Sequence, residues 1–314
     1  MRRTFFIVGP TATGKSELAA DVAREIGAEI VSADAFQIYR GLDLLTAKPD
    51  ISMLAKAPHH LIGTMPLREE MNAEKYRRAA SRVIDEIHSR GKLAIVVGGS
   101  GLYLKALTHG LAPLPESDPK LRERLNAMSF DELRSRLIEL DSEAAGEIDM
   151  KNRRRVVRAV EICLRTGKPV SEAVAGVGDS GQPGSTIPAT GVFVFRDREE
   201  LYARINQRVE AIFESGVIEE VRAAREVSAT ASQMIGFREI HQLLNGPADA
   251  GSITQCVVAI QQATRRYAKR QLTWFRRQTN FPPLNLSLLT HNEAGILLRM
   301  LSERRRFSGA RAKG

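Results

Sequence analysis

The chain has 314 residues, of which 43% are hydrophobic and 26% are charged, as is typical of a globular protein with a substantial core. Lysine and arginine number 46 against 37 aspartates and glutamates, and the resulting net charge of +9 favours a polyanionic partner such as nucleic acid. The sequence contains no Cys-x-x-Cys pair, no signal-peptide pattern and no long apolar run. These absences argue against a disulfide scaffold, a structural zinc site and a membrane span, and we expect a cytoplasmic protein.

The segment 9–16, called the glycine loop below, follows the apolar run Thr4–Val8 and precedes a helical pattern. Strand, loop and helix are the context in which the pattern Gly-x4-Gly-Lys-Ser binds phosphate groups. Backbone N–H groups and the positive end of the helix attract the anion. An ordinary glycine turn would leave Lys15 and Ser16 unexplained. The predicted phosphate-binding residues are Gly9, Pro10, Thr11, Ala12, Thr13, Gly14, Lys15 and Ser16, and the Ser16 hydroxyl is expected to ligate Mg²⁺.

Two further apolar runs, at 29–33 and 93–97, are predicted to be buried strands, and the helical pattern 72–90 lies between them. Alternating strands and helices predict a parallel sheet flanked by helices, an α/β fold. In such sheets the ligand lies beyond the carboxyl ends of the strands. The glycine loop, Asp34 and the glycine-rich segment 98–101 should therefore converge on one crevice.

After residue 112 this alternation stops. Helical patterns follow at about 119–128, 130–140 and 152–166, and then a loop rich in Gly, Ser and Pro at 176–190. Strand character returns at 191–195 and is followed by a helix at about 199–214. We predict a catalytic core formed by 1–112 and 191–290, an inserted all-helical subdomain at 113–190 and a basic, disordered tail at 303–314.

Several side chains near the predicted crevice have two interpretations. Asp34 directly follows the second strand and could act as a general base, but aspartate also suits a turn or a helix cap. Segment 98–101 either allows a ligand close to the backbone or forms a plain turn. Arg204 and Arg208 lie one helical turn apart and suit a diphosphate, although a solvated helix face is the simpler interpretation.

Two helical patterns are strongly basic. In 152–158 the valines are predicted to face a core, and Arg154 and Arg158 share another face. In the second pattern, a stripe of Val257, Ile260, Tyr267 and Trp274 is predicted to pack inward and leave Arg266, Lys269, Arg270 and Arg277 outside. Asp and Glu are scarce in 262–279, so the exposed cations favour binding to nucleic acid.

Nine segments of this sequence resemble, in order, those of the tRNA dimethylallyltransferases, the tRNA isopentenyltransferase family. They are 9–16, 32–39, 46–49, 58–62, 97–103, 154–161, 201–208, 235–239 and 263–275. The resemblance covers nearly the whole chain. It implies transfer of a dimethylallyl group from dimethylallyl diphosphate to N6 of the adenosine 3′-adjacent to the anticodon, in tRNAs that read UNN codons.

The same resemblance implies roles for single residues. Asp34 matches the family's general base, and Lys15, Arg208 and Mg²⁺ on Ser16 would stabilise the diphosphate leaving group. The target base would leave the stack of the anticodon loop, which the helical insertion would clasp. Positions that touch tRNA in the family match Asp34, Ala35, Phe36, Gln37, Ser100, Arg122, Arg155, Arg158, Gln233, Arg238, Lys269, Arg270 and Arg276. A monomer is expected.

The chain departs from the family's pattern at five places, none of which removes the base or the diphosphate ligands. They are Ala35 for Ser, Ser100 for Thr, Leu44-Leu45 before Thr46, Gly63 for Asp and Asn152 for Asp. Three alternatives are a small-molecule kinase, a transferase that prenylates free AMP or ADP, and a non-enzymatic RNA-binding protein. The basic helices disfavour the first, and the helical insertion disfavours the second. The presence of Lys15, Ser16 and Asp34 disfavours the third.

Overall fold

A computed structural model describes residues 4–112, 114–175, 189–246 and 249–303. The described residues form two compact units: those up to 108 together with those from 189 onward are the sheet unit, and residues 109–175 are the helical unit. The boundaries expected from the sequence were 113 and 190. The predicted loop at 176–190 and the predicted tail at 303–314 lie outside the described residues, except at 189–190 and 303.

The sheet unit is built on parallel strands, which confirms the predicted α/β class. Its described strands are β1 Thr4–Val8, β2 Glu29–Ala33, β3 His59–His60, β4 Ala94–Gly98, β5 Ala189–Phe195 and β6 Pro283–Asn285. They lie in the order β3-β2-β4-β1-β5-β6. The sequence placed the strand now called β4 one residue too early, at 93–97, because Gly98 still pairs with both neighbouring strands. It predicted neither β3 nor β6, which have only two and three residues.

The described helices flank this sheet or form the helical unit. They are α1 Lys15–Ile26, α2 Ile51–Leu54, α3 Ala73–Ser89, α4 Gly101–His109, α5 Pro119–Ala127, α6 Phe130–Leu140, α7 Ser142–Glu147, α8 Arg153–Thr166, α9 Val170–Ala175, α10 Arg198–Glu214, α11 Val217–Ala223, α12 Phe237–Leu244, α13 Ala250–Gln278 and α14 His291–Glu303. Within the described ranges, no helix combines the length and apolarity needed to cross a membrane.

Alternation along the strands supplies a separate apolar core on each face of the sheet. Phe6, Val31 and Val96 lie in one core with side chains of α3, α4 and α10–α13. Phe5, Ile7 and Ile95 lie in the other core with α1 and α14. Because side chains of a strand point alternately to its two faces, strands covered on both sides are apolar at every position. This burial explains the continuous apolar runs in the sequence.

The helical unit has its own core, formed mainly by α6 and α8. Leu133 and Leu137 of α6 are fully buried against Val156 and Val160 of α8. Ser129 begins α6 with a capping box, since its hydroxyl accepts from the Glu132 N–H while the Glu132 carboxylate accepts from the Ser129 N–H. The described part of this unit contains helices and no strand.

Truncation of Leu133 tests this core. Leu133 is 0% exposed, so Leu133→Ala should lower the free energy of unfolding by about 2–5 kcal/mol because it leaves a cavity. Ile138 lies on the same helix and is 54% exposed, so Ile138→Ala is the matched control and should cost well under about 1 kcal/mol. Urea unfolding followed by circular dichroism measures both. Equal losses would show that α6 does not pack as described.

Candidate active site

The carboxyl ends of β1, β4 and β2 lie side by side. Val8 and Ala33 are both in register with Gly98, and the Gly9 N–H donates to the Gly98 carbonyl at 3.2 Å. A Cβ at Gly98 would collide with the Ala33 backbone, and one at Gly9 would collide with the Val194 carbonyl. The glycine loop, Asp34 and segment 98–101 therefore follow adjacent strand ends, as the sequence led us to expect.

The glycine loop has the backbone of an anion-binding turn. Ala12 and Gly14 have positive φ angles of 66° and 86°. Within the loop, the Thr13 hydroxyl and the Lys15 ammonium group each donate to the Pro10 carbonyl at 3.1 Å. Gly14 is the N-cap of α1 and provides no side-chain cap. The first-turn N–H groups of α1 are therefore positioned to bind an anion.

Three arginines donate hydrogen bonds to the glycine loop. Arg208 donates to the Thr11 hydroxyl, Arg204 to the Ala12 carbonyl and Arg196 to the Thr13 carbonyl, each at 2.9 Å. Arg196 directly follows β5, and the other two lie on α10. The loop is thus held by side chains from more than 180 residues further along the chain.

The solvated-face interpretation of Arg204 and Arg208 is wrong. Leu201, Ile205 and Val209 of α10 are buried. Their burial turns the adjacent flank of the helix against the glycine loop rather than toward water. The position of this flank depends on tertiary packing, which helical periodicity alone does not specify.

Two cations and one carboxylate interact electrostatically at this edge of the sheet. Burial lowers the pKa of Lys15 to about 8, and Arg208 adds to the lowering while the Asp34 carboxylate opposes it. Burial also lowers the pKa of Arg208, again against the effect of Asp34. Removing two like charges from water is costly, so an anion bound between them would be strongly favoured.

Asp34 forms the turn that one of its two interpretations required. Its Oδ1 atom accepts from the N–H groups of Phe36 at 2.9 Å and Gln37 at 3.2 Å. Both of these bonds are made to one oxygen and fix the plane of the carboxylate. The turn role is therefore confirmed, and the general-base role stays a prediction.

Ser100 connects the turn at Asp34 to α13. Its Oγ atom accepts from the Ala35 N–H at 2.9 Å. The Tyr267 side chain of α13 lies close to Ser100 and Gln271. Burial and the Asp34 charge raise the pKa of Tyr267 well above its ordinary value, so this phenol stays protonated at neutral pH.

The inward face of α13 differs from the predicted one. Its buried residues are Cys256, Ile260, Gln261, Thr264, Ala268, Gln271 and Phe275. Of the predicted stripe, only Ile260 is buried, whereas Val257, Tyr267 and Trp274 are half-buried beside it. Val257 and Trp274 pack against the same core as Ile260, but a search for apolar periodicity misses the polar residues of the buried face. The prediction that Arg266, Lys269, Arg270 and Arg277 lie outside is confirmed.

The predicted tRNA-contacting residues of the sheet unit fall into two groups. Asp34, Ala35, Phe36, Gln37 and Ser100 lie at the strand ends, where the Gln37 amide donates to the carbonyls of Thr46 and Ala47. Gln233, Arg238, Lys269, Arg270 and Arg276 are exposed on or beside α12 and α13. Contact with RNA by either group stays a prediction.

In the helical unit, two of the three predicted arginines share one buried carboxylate. Glu161 is 0% exposed and pairs with Arg122 at 3.2 Å and Arg158 at 2.6 Å. It also accepts from the Asp118 N–H at 2.8 Å. Arg155 lies exposed on α8. Two guanidinium groups around one carboxylate leave a net positive charge at this site.

The donor set at the glycine loop suits Mg²⁺ held jointly with phosphate oxygens. Ser16 lies in the first turn of α1, where its hydroxyl is one oxygen ligand of the kind that Mg²⁺ prefers. Within the described ranges, no cluster of three or more His, Cys, Asp or Glu could form a metal cage. A bound Mg²⁺ would therefore take most of its ligands from the substrate and water, as is common for this ion.

Sequence reasoning missed two residues that contact the glycine loop. Arg196 stands at the carboxyl end of β5, the strand that pairs with β1, and its position after an apolar run was a usable signal. Gln271 accepts from the Thr11 N–H at 2.9 Å. Its signal was weaker, since it is one uncharged polar residue within a basic helix.

A parallel sheet whose strand ends carry a glycine loop, two half-buried cations and a carboxylate has the architecture of enzymes that bind their ligand at this edge. A family model described as IPP transferase matches residues 37–278. A tRNA dimethylallyltransferase of Geobacter sulfurreducens is 43% identical over 279 residues, which are 86% of this chain and 88% of that protein. The chain therefore belongs to the IPP transferase family, and it is a transferase.

Solved structures show the same fold. The crystal structure of the full-length tRNA isopentenylpyrophosphate transferase of Bacillus halodurans is 30% identical, with a TM-score of 0.69 over 98% of this chain and 100% of that chain. A eukaryotic dimethylallyltransferase acting on tRNA has a TM-score of 0.78 over 98% of this chain and 80% of that chain, at 24% identity. The architecture is therefore conserved at low sequence identity.

Substitution of Gly101 tests the packing of α13 against the site. A Cβ at Gly101 would lie 2.5 Å from the Trp274 ring, so Gly101→Ala should displace the ring and destabilise the protein by about 1–3 kcal/mol. Trp274 is the only tryptophan of the chain, and its emission should shift to longer wavelength. Nothing lies within 4 Å of a Cβ built at Gly146, so Gly146→Ala should leave the emission unchanged. An unchanged spectrum in Gly101→Ala would contradict this contact.

Proposed function

We propose that the protein transfers a dimethylallyl group from dimethylallyl diphosphate to N6 of the adenosine 3′-adjacent to the anticodon. The tRNA substrates would be those that read UNN codons. The observation that carries the proposal is the grouping of Asp34, Lys15 and Arg208 around the glycine loop. In this proposal Asp34 is the base, and the glycine loop with Lys15 and Arg208 binds the leaving group.

The nucleophile in this reaction is the exocyclic amine of adenine, whose lone pair is delocalised into the ring. As the N6–C bond forms, the amine loses a proton and the Asp34 carboxylate accepts it. Among the hydrogen bonds of the described residues, those to Asp34 fall on Oδ1. Oδ2 is therefore the oxygen suited to take the proton. Such general-base assistance accelerates reactions by about 10²–10⁴-fold.

The leaving group is diphosphate, which departs with the electron pair of the allylic C–O bond. The added negative charge develops beside Lys15, Arg208 and the N–H groups of the glycine loop, where burial strengthens each interaction. Mg²⁺ bound through the Ser16 hydroxyl would neutralise further charge on the diphosphate oxygens. Because Arg208 is already bonded to Thr11, its guanidinium needs little reorganisation when the substrate binds.

The RNA would bind along the outer face of α13 and its neighbours. Lys269, Arg270 and Arg276 are exposed there, and the whole chain carries a net charge of +9. Cations of this kind neutralise phosphates and release counterions, so affinity for RNA should fall steeply with salt concentration. In the helical unit, Arg122, Arg155 and Arg158 would serve the same purpose.

Asp34→Asn separates the turn role of this residue from its proposed role as a base. The amide oxygen still accepts from Phe36 and Gln37, so the protein should fold with wild-type stability, but transfer should slow by about 10²–10⁴-fold. The assay combines protein, Mg²⁺, dimethylallyl diphosphate and an anticodon stem-loop with three consecutive adenines. Mass spectrometry then detects a five-carbon adduct on the RNA.

The same assay distinguishes the alternatives. Free AMP replaces the stem-loop in a parallel reaction, and ATP consumption is followed in a third. An adduct on AMP alone would assign a nucleotide prenyltransferase, and ATP consumption without any adduct would assign a kinase. Asp34→Ala loses the turn as well as the base. Comparing its stability with that of Asp34→Asn therefore shows how much the turn contributes to folding. Full activity in Asp34→Asn would remove this residue from the base role.

The pKa of Lys15 predicts how diphosphate affinity depends on pH. The free protein holds Lys15 at a pKa of about 8, below the ordinary 10.5, and a bound anion favours its charged form. Above pH 8 the Lys15 side chain of the free protein is therefore mostly deprotonated, and it must take up a proton when diphosphate binds. The affinity for inorganic diphosphate should fall as pH rises above 8, by up to about tenfold per pH unit. Titration calorimetry at several pH values measures this slope.

Lys15→Arg is the control for this dependence, because a guanidinium group does not titrate in this range. The titration of diphosphate itself is common to both proteins and cancels in the comparison. The variant should lack the additional slope above pH 8. If wild-type protein and Lys15→Arg show the same slope, Lys15 does not contact the diphosphate as a titrating cation.

A further inference from the structure

Gln271 joins the two loops that follow β1 and β4. Its Oε1 atom accepts from the Thr11 N–H at 2.9 Å, and its Nε2 atom donates to the Gly99 carbonyl at 2.9 Å. The residue is 6% exposed, so water does not readily replace these bonds. One side-chain amide therefore sets the separation between the glycine loop and segment 98–101.

The backbone packs closely around the Gln271 amide. A Cβ at Gly99 would lie against the Gln271 amide nitrogen and 2.9 Å from the Gly9 carbonyl. Thr11 is also held through its hydroxyl by Arg208 of α10. Two helices, α10 and α13, thus hold Thr11 through different atoms. They pack on each other through Leu201, Ile205 and Ala268.

The same amide also connects to the turn that carries Asp34. Gln271 bonds to the carbonyl of Gly99, which directly precedes Ser100 in the chain. Ser100 in turn accepts from the Ala35 N–H. A continuous set of contacts therefore runs from Thr11 of the glycine loop, through Gln271, Gly99 and Ser100, to the residue next to Asp34.

We propose that Gln271 is a positioning residue, which fixes the glycine loop relative to the Ser100 turn and so sets the distance between the leaving group and the base. This inference rests on the proposed function. Gln271 acts through Thr11 and Gly99 and needs no contact with either substrate. Its loss should therefore weaken binding of diphosphate and slow transfer, while RNA binding on the exposed face of α13 is preserved.

Gln271→Met is the direct test. Methionine has similar length and volume but neither donates nor accepts these bonds, so the helix keeps its packing. We expect about tenfold weaker binding of inorganic diphosphate with Mg²⁺, because two buried hydrogen bonds are lost. The single-turnover rate of dimethylallyl transfer should fall at least as much. The dissociation constant of the anticodon stem-loop should stay within about twofold of wild type.

Gln262→Met is the matched control, since Gln262 is exposed on the same helix. It should leave the affinity for inorganic diphosphate unchanged. Wild-type diphosphate affinity and rate in Gln271→Met would overturn the proposal. An equal loss of RNA and diphosphate binding would also overturn it, because that pattern indicates general loss of structure.

Gln271→Glu keeps the proposal testable if the methionine variant does not fold. The introduced carboxyl group accepts from the Thr11 N–H in either state, but it donates to the Gly99 carbonyl only when protonated. Burial favours the protonated form, so the ratio of its diphosphate affinity to that of wild type should rise toward one as pH falls. A ratio independent of pH would contradict the positioning role.

The outcomes separate this inference from the proposed function. Diphosphate binding is measured without any transfer reaction, so it reports on Gln271 even if the RNA acceptor is different. An inactive wild-type protein that binds diphosphate, with weaker binding in Gln271→Met, would reject the proposed function alone. An active wild-type protein matched by Gln271→Met would reject the positioning role alone.

Discussion

The close parallel register of three strand ends is the constraint on which the site depends. Val8, Gly98 and Ala33 lie in one row across β1, β4 and β2. Gly98 lies against the Ala33 backbone, and the Gly98 carbonyl accepts from the Gly9 N–H. A larger residue at position 98 would therefore separate the strands. Three parts of the candidate site follow from this row. The glycine loop, the turn at Asp34 and the turn at Ser100 begin one or two residues after these strand ends.

Burial determines the electrostatics of the charged groups beside this row. Lys15 and Arg208 are cations held partly away from water, and the lowered pKa of each group records the cost. Burial of the hydrophobic cores on both faces of the sheet stabilises the fold and offsets this unfavourable free energy. A diphosphate would relieve it, so the electrostatics of the site favour the proposed ligand. Asp34 offsets part of the charge and is oriented by two backbone bonds.

The sequence predicted what depends on local pattern. The long apolar strands, the glycine loop and the turn at Asp34 are contiguous signals, and the structure has each of them. It did not predict β3 and β6, whose two and three residues are too few for periodicity. It also missed Gln271, and it favoured the solvated interpretation of Arg204. Their roles arise from contacts with residues 260 and 192 positions away, which no local window contains.

Those long sequence separations also order events during synthesis of the chain. The glycine loop is translated first, but its supports arrive with β5, α10 and finally α13. A nascent chain lacks the Thr11–Gln271 bond until residue 271 has emerged from the ribosome. A chain interrupted before α13 therefore presents the glycine loop without this support.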